Sequence, residues 1–120
     1  MLRPAGENLR IYLHRAPVDM RKGRHGLAAI AREVVEEADV FSGALFIFVG
    51  RCYDILKILY WDRNGFAIWS KKIETEEKYH WPRFLQEQTV TLSTEQLNWL
   101  LDGYDIWAQP HRTIKFTHAC

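Results

Sequence analysis

Cations and aromatic rings are concentrated in one short stretch of this chain, Lys57-Ile58-Leu59-Tyr60-Trp61-Asp62-Arg63-Asn64-Gly65-Phe66-Ala67-Ile68-Trp69-Ser70-Lys71-Lys72. Such a mixture supports two chemistries. Cations meet phosphates while rings stack on unpaired bases, and large rings also anchor protein partners near the centres of interfaces. A second basic run, Met20-Arg21-Lys22-Gly23-Arg24-His25-Gly26, stands ahead of a helix start, where backbone N–H groups and the helix dipole favour anions. Candidate nucleic-acid contacts are Arg21, Lys22, Arg51, Lys57, Arg63, Lys71 and Lys72, and candidate partner anchors are Trp61, Phe66, Trp69 and Trp81. The structural alternative is that the rings are core and the lysines a solvated rim, since apolar stripes usually face inward and lysine stems lie along them.

Catalytic chemistry has a weaker signal. Metal-dependent strand transfer needs several carboxylates around divalent ions that activate water and stabilise the leaving oxygen. Asp19, Asp54, Asp62, Glu74 and Asp105 fall instead in turns or at strand ends, where acidic residues serve as turn formers. His111, His118 and Cys120 lack the paired short spacing of a structural zinc site and a fourth ligand. Cys52 with His14, His25 or His80 lacks an orienting group or oxyanion-binding signature, so a buried or indifferent thiol is expected. Gly23 and Gly26 have neither the spacing nor the following Lys-Ser or Lys-Thr of a phosphate-cradling loop. A non-enzyme with no cofactor and no metal is expected.

The bulk composition sets the frame for these groups. A length of 120 residues with 48% hydrophobic and 13% aromatic content suits a single domain, residues 1–120, with a real core. The net charge of +1 excludes a polycation that coats nucleic acid indiscriminately, so any such contact must come from local patches. Cys52 and Cys120 make no disulfide framework, and the start of the chain has no apolar signal core, which together fit a reduced cytoplasm. No apolar run reaches the roughly 18 residues that span a bilayer.

Period and punctuation place the elements. Leu9 to His14 reads as a strand, broken by Ala16-Pro17. Leu27, Ala31, Val34, Val35 and Ala38 recur at helical spacing, which predicts one long amphipathic helix from His25 to Ala38 lying on a sheet. Ala44 to Val49 is a nearly unbroken apolar run, the pattern of a central strand covered on both faces. Ile55 to Ile73 is a hairpin, the segment from Glu74 to Pro82 runs along the surface pinned by its aromatics, and Thr89 to Leu92 is a short strand. Ser93-Thr94-Glu95-Gln96 has the spacing of a capping box, with Gly103 as the stop signal of a helix from Thr94 to Asp102. Residues 105–120 form either an edge strand or a loose tail. The fold class is therefore α+β: a mostly antiparallel sheet built on a central hairpin meander, one long helix packed on it, and a shorter C-terminal helix.

Within the hairpin, Asn64-Gly65 is the expected two-residue I′ turn. Arg63 then faces Phe66, Trp61 faces Ile68, Leu59 faces Ser70 and Lys57 faces Lys72, all on one surface because side chains alternate with period two. Leu56, Ile58, Tyr60, Ala67, Trp69 and Ile73 lie on the other surface and read as core. A four-residue turn regroups these pairs.

Several motifs in one order carry a family resemblance. At Pro17-Val18-Asp19-Met20-Arg21-Lys22-Gly23, Phe41-Ser42-Gly43-Ala44-Leu45-Phe46-Ile47-Phe48, Lys57-Ile58-Leu59-Tyr60-Trp61-Asp62 and Gly65-Phe66, and then at Trp69, Lys71, Trp81-Pro82 and Leu100-Leu101-Asp102-Gly103, the chain resembles the TnpB accessory family of insertion-sequence-66 bacterial transposons. That family is distinct from the longer RNA-guided nuclease sharing the label. The resemblance implies a small non-catalytic protein that assists DNA transposition, with the transposase and other proteins of the same mobile element as partners, DNA at the transposon ends as a further partner, and homo-oligomerisation open. An interaction module that docks the transposase or oligomerises without touching DNA is the other reading. The chain departs from the family pattern at His25, where an acid is common, and at Val49-Gly50-Arg51-Cys52-Tyr53, where only Arg51 remains of a more basic stretch.

Overall fold

In a computed structural model the structure describes residues 9–107. The elements are β1 (Ile11–His14), α1 (Arg24–Val34), α2 (Glu37–Val40), β2 (Leu45–Val49), β3 (Ile55–Asp62), β4 (Gly65–Lys72), β5 (Thr89–Leu92) and α3 (Thr94–Leu101). They give an α+β architecture with one five-stranded sheet, ordered β4-β3-β2-β1-β5. The β1–β2 pair is parallel and the other neighbours are antiparallel, so the sheet is mostly antiparallel.

The apolar run of β2 puts that strand in the middle of the sheet with all five of its residues buried. Alternation then distributes its side chains to two cores. Phe46 and Phe48 join Leu59 under Leu27, Ala28 and Ala31 of α1 and Val40 of α2. Leu45, Ile47 and Val49 join Ile11, Leu13, Leu56 and Ile58 beneath Tyr79, Trp81 and the Leu97, Leu100 and Leu101 stripe of α3. The sheet is thus the middle layer between two covers of different make.

The single long helix expected from His25 to Ala38 is divided. Val35 donates its N–H to the Ala31 carbonyl, ending α1, and is itself extended with φ −134° and ψ 163°. Glu36 is also extended and opens α2. Adjacent Val34 and Val35 have stiff β-branched side chains that disfavour continued helix, and the break turns the chain so that Val40 reaches the core with 0% exposure.

The last helix follows its local signals. Ser93 Oγ accepts the Gln96 N–H at 3.1 Å and Gln96 Oε1 accepts the Ser93 N–H at 2.9 Å, a complete capping box. At the other end Gly103 has φ +92°, its N–H reaches the Leu100 carbonyl, and the Tyr104 N–H reaches that of Trp99, the paired bonds of a Schellman stop. Residues 74–88 contain no regular element, and donors hold this segment in place: Trp81 Nε1 donates to the Arg15 carbonyl, the Tyr79 N–H to the Tyr53 carbonyl, and Trp107 Nε1 to the His80 carbonyl. The expected edge strand or loose tail falls almost wholly outside the described residues; of it, Ile106 and Trp107 pack on the α3-side core.

Candidate functional site

The hairpin closes one step earlier than Asn64-Gly65 predicts. Asp62 pairs with Gly65 and Trp61 with Phe66, leaving Arg63 and Asn64 as the loop. Arg63 takes φ +57°, and the Asn64 N–H donates back to the Asp62 carbonyl at 2.6 Å, a γ-turn closure centred on an arginine. Relative to the expected register, the partner of each β3 residue moves by two positions. Because two is the side-chain period, each face keeps its members while the cross-strand neighbours change. Trp61 now lies opposite Phe66, and their rings meet edge-on at 5.0 Å.

Arg21, Lys22, Arg51, Lys57 and Lys72 gather toward one end of the sheet, where β3 begins and β4 ends. Lys57 Nζ donates to the Met20 carbonyl at 2.7 Å and so ties the Val18–Gly23 connection to the hairpin. A Cβ on Gly50, just after β2, would lie 2.8 Å from Met20 Cγ, so glycine there leaves room for the Met20 side chain of this connection. Arg21 lies in a two-pronged bond on Asp19, which holds the Asp19 carboxyl far below the usual carboxylate range, first through the side-chain hydrogen bond and then through the Arg21 backbone N–H. Arg21, Arg51, Asp19 and Asp54 line a cleft of about 240 Å³ here, so its floor carries both signs of charge. Lys22, Arg24 and Lys72 stand exposed around this end, and the first turn of α1 has no acidic residue.

Two candidate cations are elsewhere. Arg63 sits at the hairpin tip, roughly 23 Å along β3 from its start. Lys71 is on the other face, where its Nζ donates to the Leu101 carbonyl at 2.8 Å and neutralises the C-terminal end of α3.

The candidate anchors also separate. Trp61 and Phe66 are half-buried and form a cluster with Phe41, which follows α2; Phe41 lies 4.9 Å from Trp61 and 5.6 Å from Phe66, and the Arg32 guanidinium sits 5.4 Å above its ring. Phe41 is 37% exposed and was not singled out in the sequence; only its place beside a Ser-Gly turn, apart from any apolar stripe, hints at it. Trp69 packs half-buried against the α3-side core. Trp81 is 2% exposed with its indole N–H bonded, and so presents no ring surface to a partner. Trp99 and Tyr104 are exposed beside Gln96 and Ile106 around a separate open groove.

Among the described residues no three His, Cys, Asp or Glu side chains gather as a metal-binding group. His111, His118 and Cys120 lie outside the described residues. No helix among the described residues is long and apolar enough to cross a membrane.

Residues 9–111 match the family described as IS66 Orf2-like protein. The chain belongs to that family. Two similar proteins from Sinorhizobium fredii (strain NBRC 101917 / NGR234) are both described as uncharacterized: y4hO is 32% identical over 114 residues, covering 95% of this chain and 96% of its own. The other, y4jC, is 32% identical over 104 residues, covering 87% of this chain and 86% of its own. No solved structure gives a significant match. For the IS66 Orf2-like protein, family membership supports an accessory association with insertion-sequence transposition, and it spans both the basic end of the sheet and the Phe41–Trp61–Phe66 cluster.

Proposed function

We propose that this IS66 Orf2-like protein assists transposition without catalysing it, holding DNA phosphates at the basic end of its sheet. The observation that carries this reading is the convergence of Arg21, Lys22, Arg51, Lys57 and Lys72 from three separate stretches of sequence onto one end of the fold. Exposed Lys22 and Lys72 are the direct phosphate contacts, and the Lys57 bond to Met20 sets the height of the loop that carries Lys22. The Asp19 and Asp54 carboxylates in the cleft keep phosphate on the rim, because the phosphodiester anion is repelled from the floor. Work in the cytoplasm beside the element's own transposase follows from this role.

A second reading is favoured by the Phe41–Trp61–Phe66 cluster, whose partly exposed rings with Arg32 have the composition of an interface anchor. In it the protein docks on the transposase and need not touch DNA. Gel-shift titrations with transposon-end DNA over a range of salt separate the two. Direct phosphate contact gives affinity that falls steeply with salt, and each of Lys22→Ala and Lys72→Ala lowers the salt slope by about one. Capture of the transposase after nuclease treatment with no DNA shift at any salt overturns the DNA reading and supports the second. Equal affinity for unrelated DNA confines the contact to the backbone.

A further inference from the structure

The two outer strands of the sheet are protected very differently. β5 is four residues long and carries two threonines, a short polar edge of the kind that discourages pairing with other chains. β4 is eight residues long, has no proline, and keeps an unbroken register with β3 from Gly65 to Lys72, so no bulge interrupts it. Phe66, Ala67, Ile68 and Trp69 form an apolar run on this outermost strand, each with part of its surface in solvent, and the first charge after the turn is Lys71.

Hydrogen bonds at the base of the hairpin fix which backbone groups face outward. The Ile73 N–H donates to the Asp54 carbonyl at 2.8 Å, while the Gly50 N–H donates to the Ile55 carbonyl at 3.0 Å. Consecutive residues of an antiparallel strand bond to opposite sides. Asp54 therefore bonds toward β4 and Ile55 toward β2. Carried through the register, Gly65, Ala67, Trp69 and Lys71 bond inward, and Phe66, Ile68, Ser70 and Lys72 turn their N–H and C=O groups to the open edge. None of those four has a backbone partner on that edge among the described residues.

We propose that this edge pairs with the β4 edge of a second copy of the chain, antiparallel about a two-fold axis at Ile68. The strand is self-complementary in that register. Phe66 lies opposite Ser70 of the second copy, Ala67 opposite Trp69, and Gly65 opposite Lys71, so in these pairs a large side chain meets a small one, and Ile68 meets its own copy on the axis. Lys71 and Lys72 of each copy come beside the Asp62–Gly65 turn of the other, away from its lysines. An in-register parallel pairing sets lysine against lysine and is disfavoured by charge. The two sheets then form one continuous sheet, and the pairing is independent of whether DNA is bound.

Sedimentation of the full chain over a micromolar concentration series, with amide hydrogen exchange at each concentration, tests it. The expected result is a concentration-dependent dimer in which the Phe66, Ile68 and Ser70 amides become protected as the dimer forms. Ser70→Pro removes an outward N–H and no ladder bond within the chain, and it should weaken the dimer by about tenfold or more, whereas Ser70→Ala should not. A monomer at every concentration, a dimer indifferent to Ser70→Pro, or protection of these amides already in the monomer overturns the proposal. The last of these assigns the edge to a segment of the same chain. Exchange on the unaltered protein decides the matter even if Ser70→Pro fails to fold.

Discussion

On the face of the sheet closed by α3, two large side chains with polar tips are held by backbone carbonyls; on the face closed by α1, three large side chains of the hairpin are left partly in solvent. Trp81 and Lys71 belong to the first group, bonded to the carbonyls of Arg15 and Leu101. Trp61, Phe66 and Lys72 belong to the second, under a helix whose contact stripe is Leu27, Ala28 and Ala31 and is too slight to cover the hairpin to its tip. The same hairpin feeds both faces, so residue type alone does not distinguish a ring that stabilises from one that is available. What distinguishes them is whether a carbonyl or another element lies within reach.

The largest effect that would sharpen this contrast is on stability. Trp81→Ala should lower the free energy of unfolding by about 3–5 kcal/mol, as removal of a buried indole does, and Trp61→Ala by only about 1–2 kcal/mol, in proportion to its partial burial. Urea denaturation measures both, and equal losses would break the contrast. An intermediate effect concerns acid. His14 packs 5.5 Å from the Phe48 ring on the α1 face and is 9% exposed. Burial lowers its pKa below the ordinary histidine value, Arg15 lowers it further, and Glu33 opposes the shift. The unfolded chain therefore binds this proton more readily than the folded one. Stability is complete above about pH 6.5 and declines as pH falls below it. In His14→Leu that part of the decline should vanish from a pH series of thermal midpoints; an unchanged profile would exclude His14 as its source. The smallest effect is at the tip, where Arg63 holds φ +57°. Arg63→Gly should stabilise by about 0.5–1 kcal/mol, the relief of a left-handed side-chain conformation less the added chain entropy, and a loss in the same denaturation assay would show that the arginine side chain makes up for its strain.

The sequence was most legible where the signal is local. The β2 run, the Thr89–Leu92 strand and the Ser93 capping box with its Gly103 stop are set by neighbours within a few residues, and each stands where its pattern predicts. The hairpin register was not legible, because Asn64-Gly65 is a sound local turn signal outweighed by a distant partner: the observed pairing brings Trp61 and Phe66 together against Phe41, a residue from beyond β2. The helix boundary failed for a similar reason, since burial of Val40 favours the break at Val35 and Glu36 over continued amphipathic spacing. Among the candidate cations, gathering at one end depends on strand pairing, and the separation of Lys71 depends on a backbone carbonyl of α3, which no residue type announces. The ring of Trp81 by itself suggests an anchor; the Arg15 carbonyl that receives its N–H is equally silent in the sequence.

The position of β1 bears on how the chain is made. Ile11 pairs with Leu45 on one side and with Leu92 on the other. Made ahead of the other described strands, β1 thus waits until Thr89–Leu92 is made before its second neighbour exists, while the β2–β3–β4 meander can close from contacts near in sequence. Until Thr89–Leu92 emerges, the flank of β1 that β5 will cover stays open, and a nascent-chain binding factor has its best opportunity there.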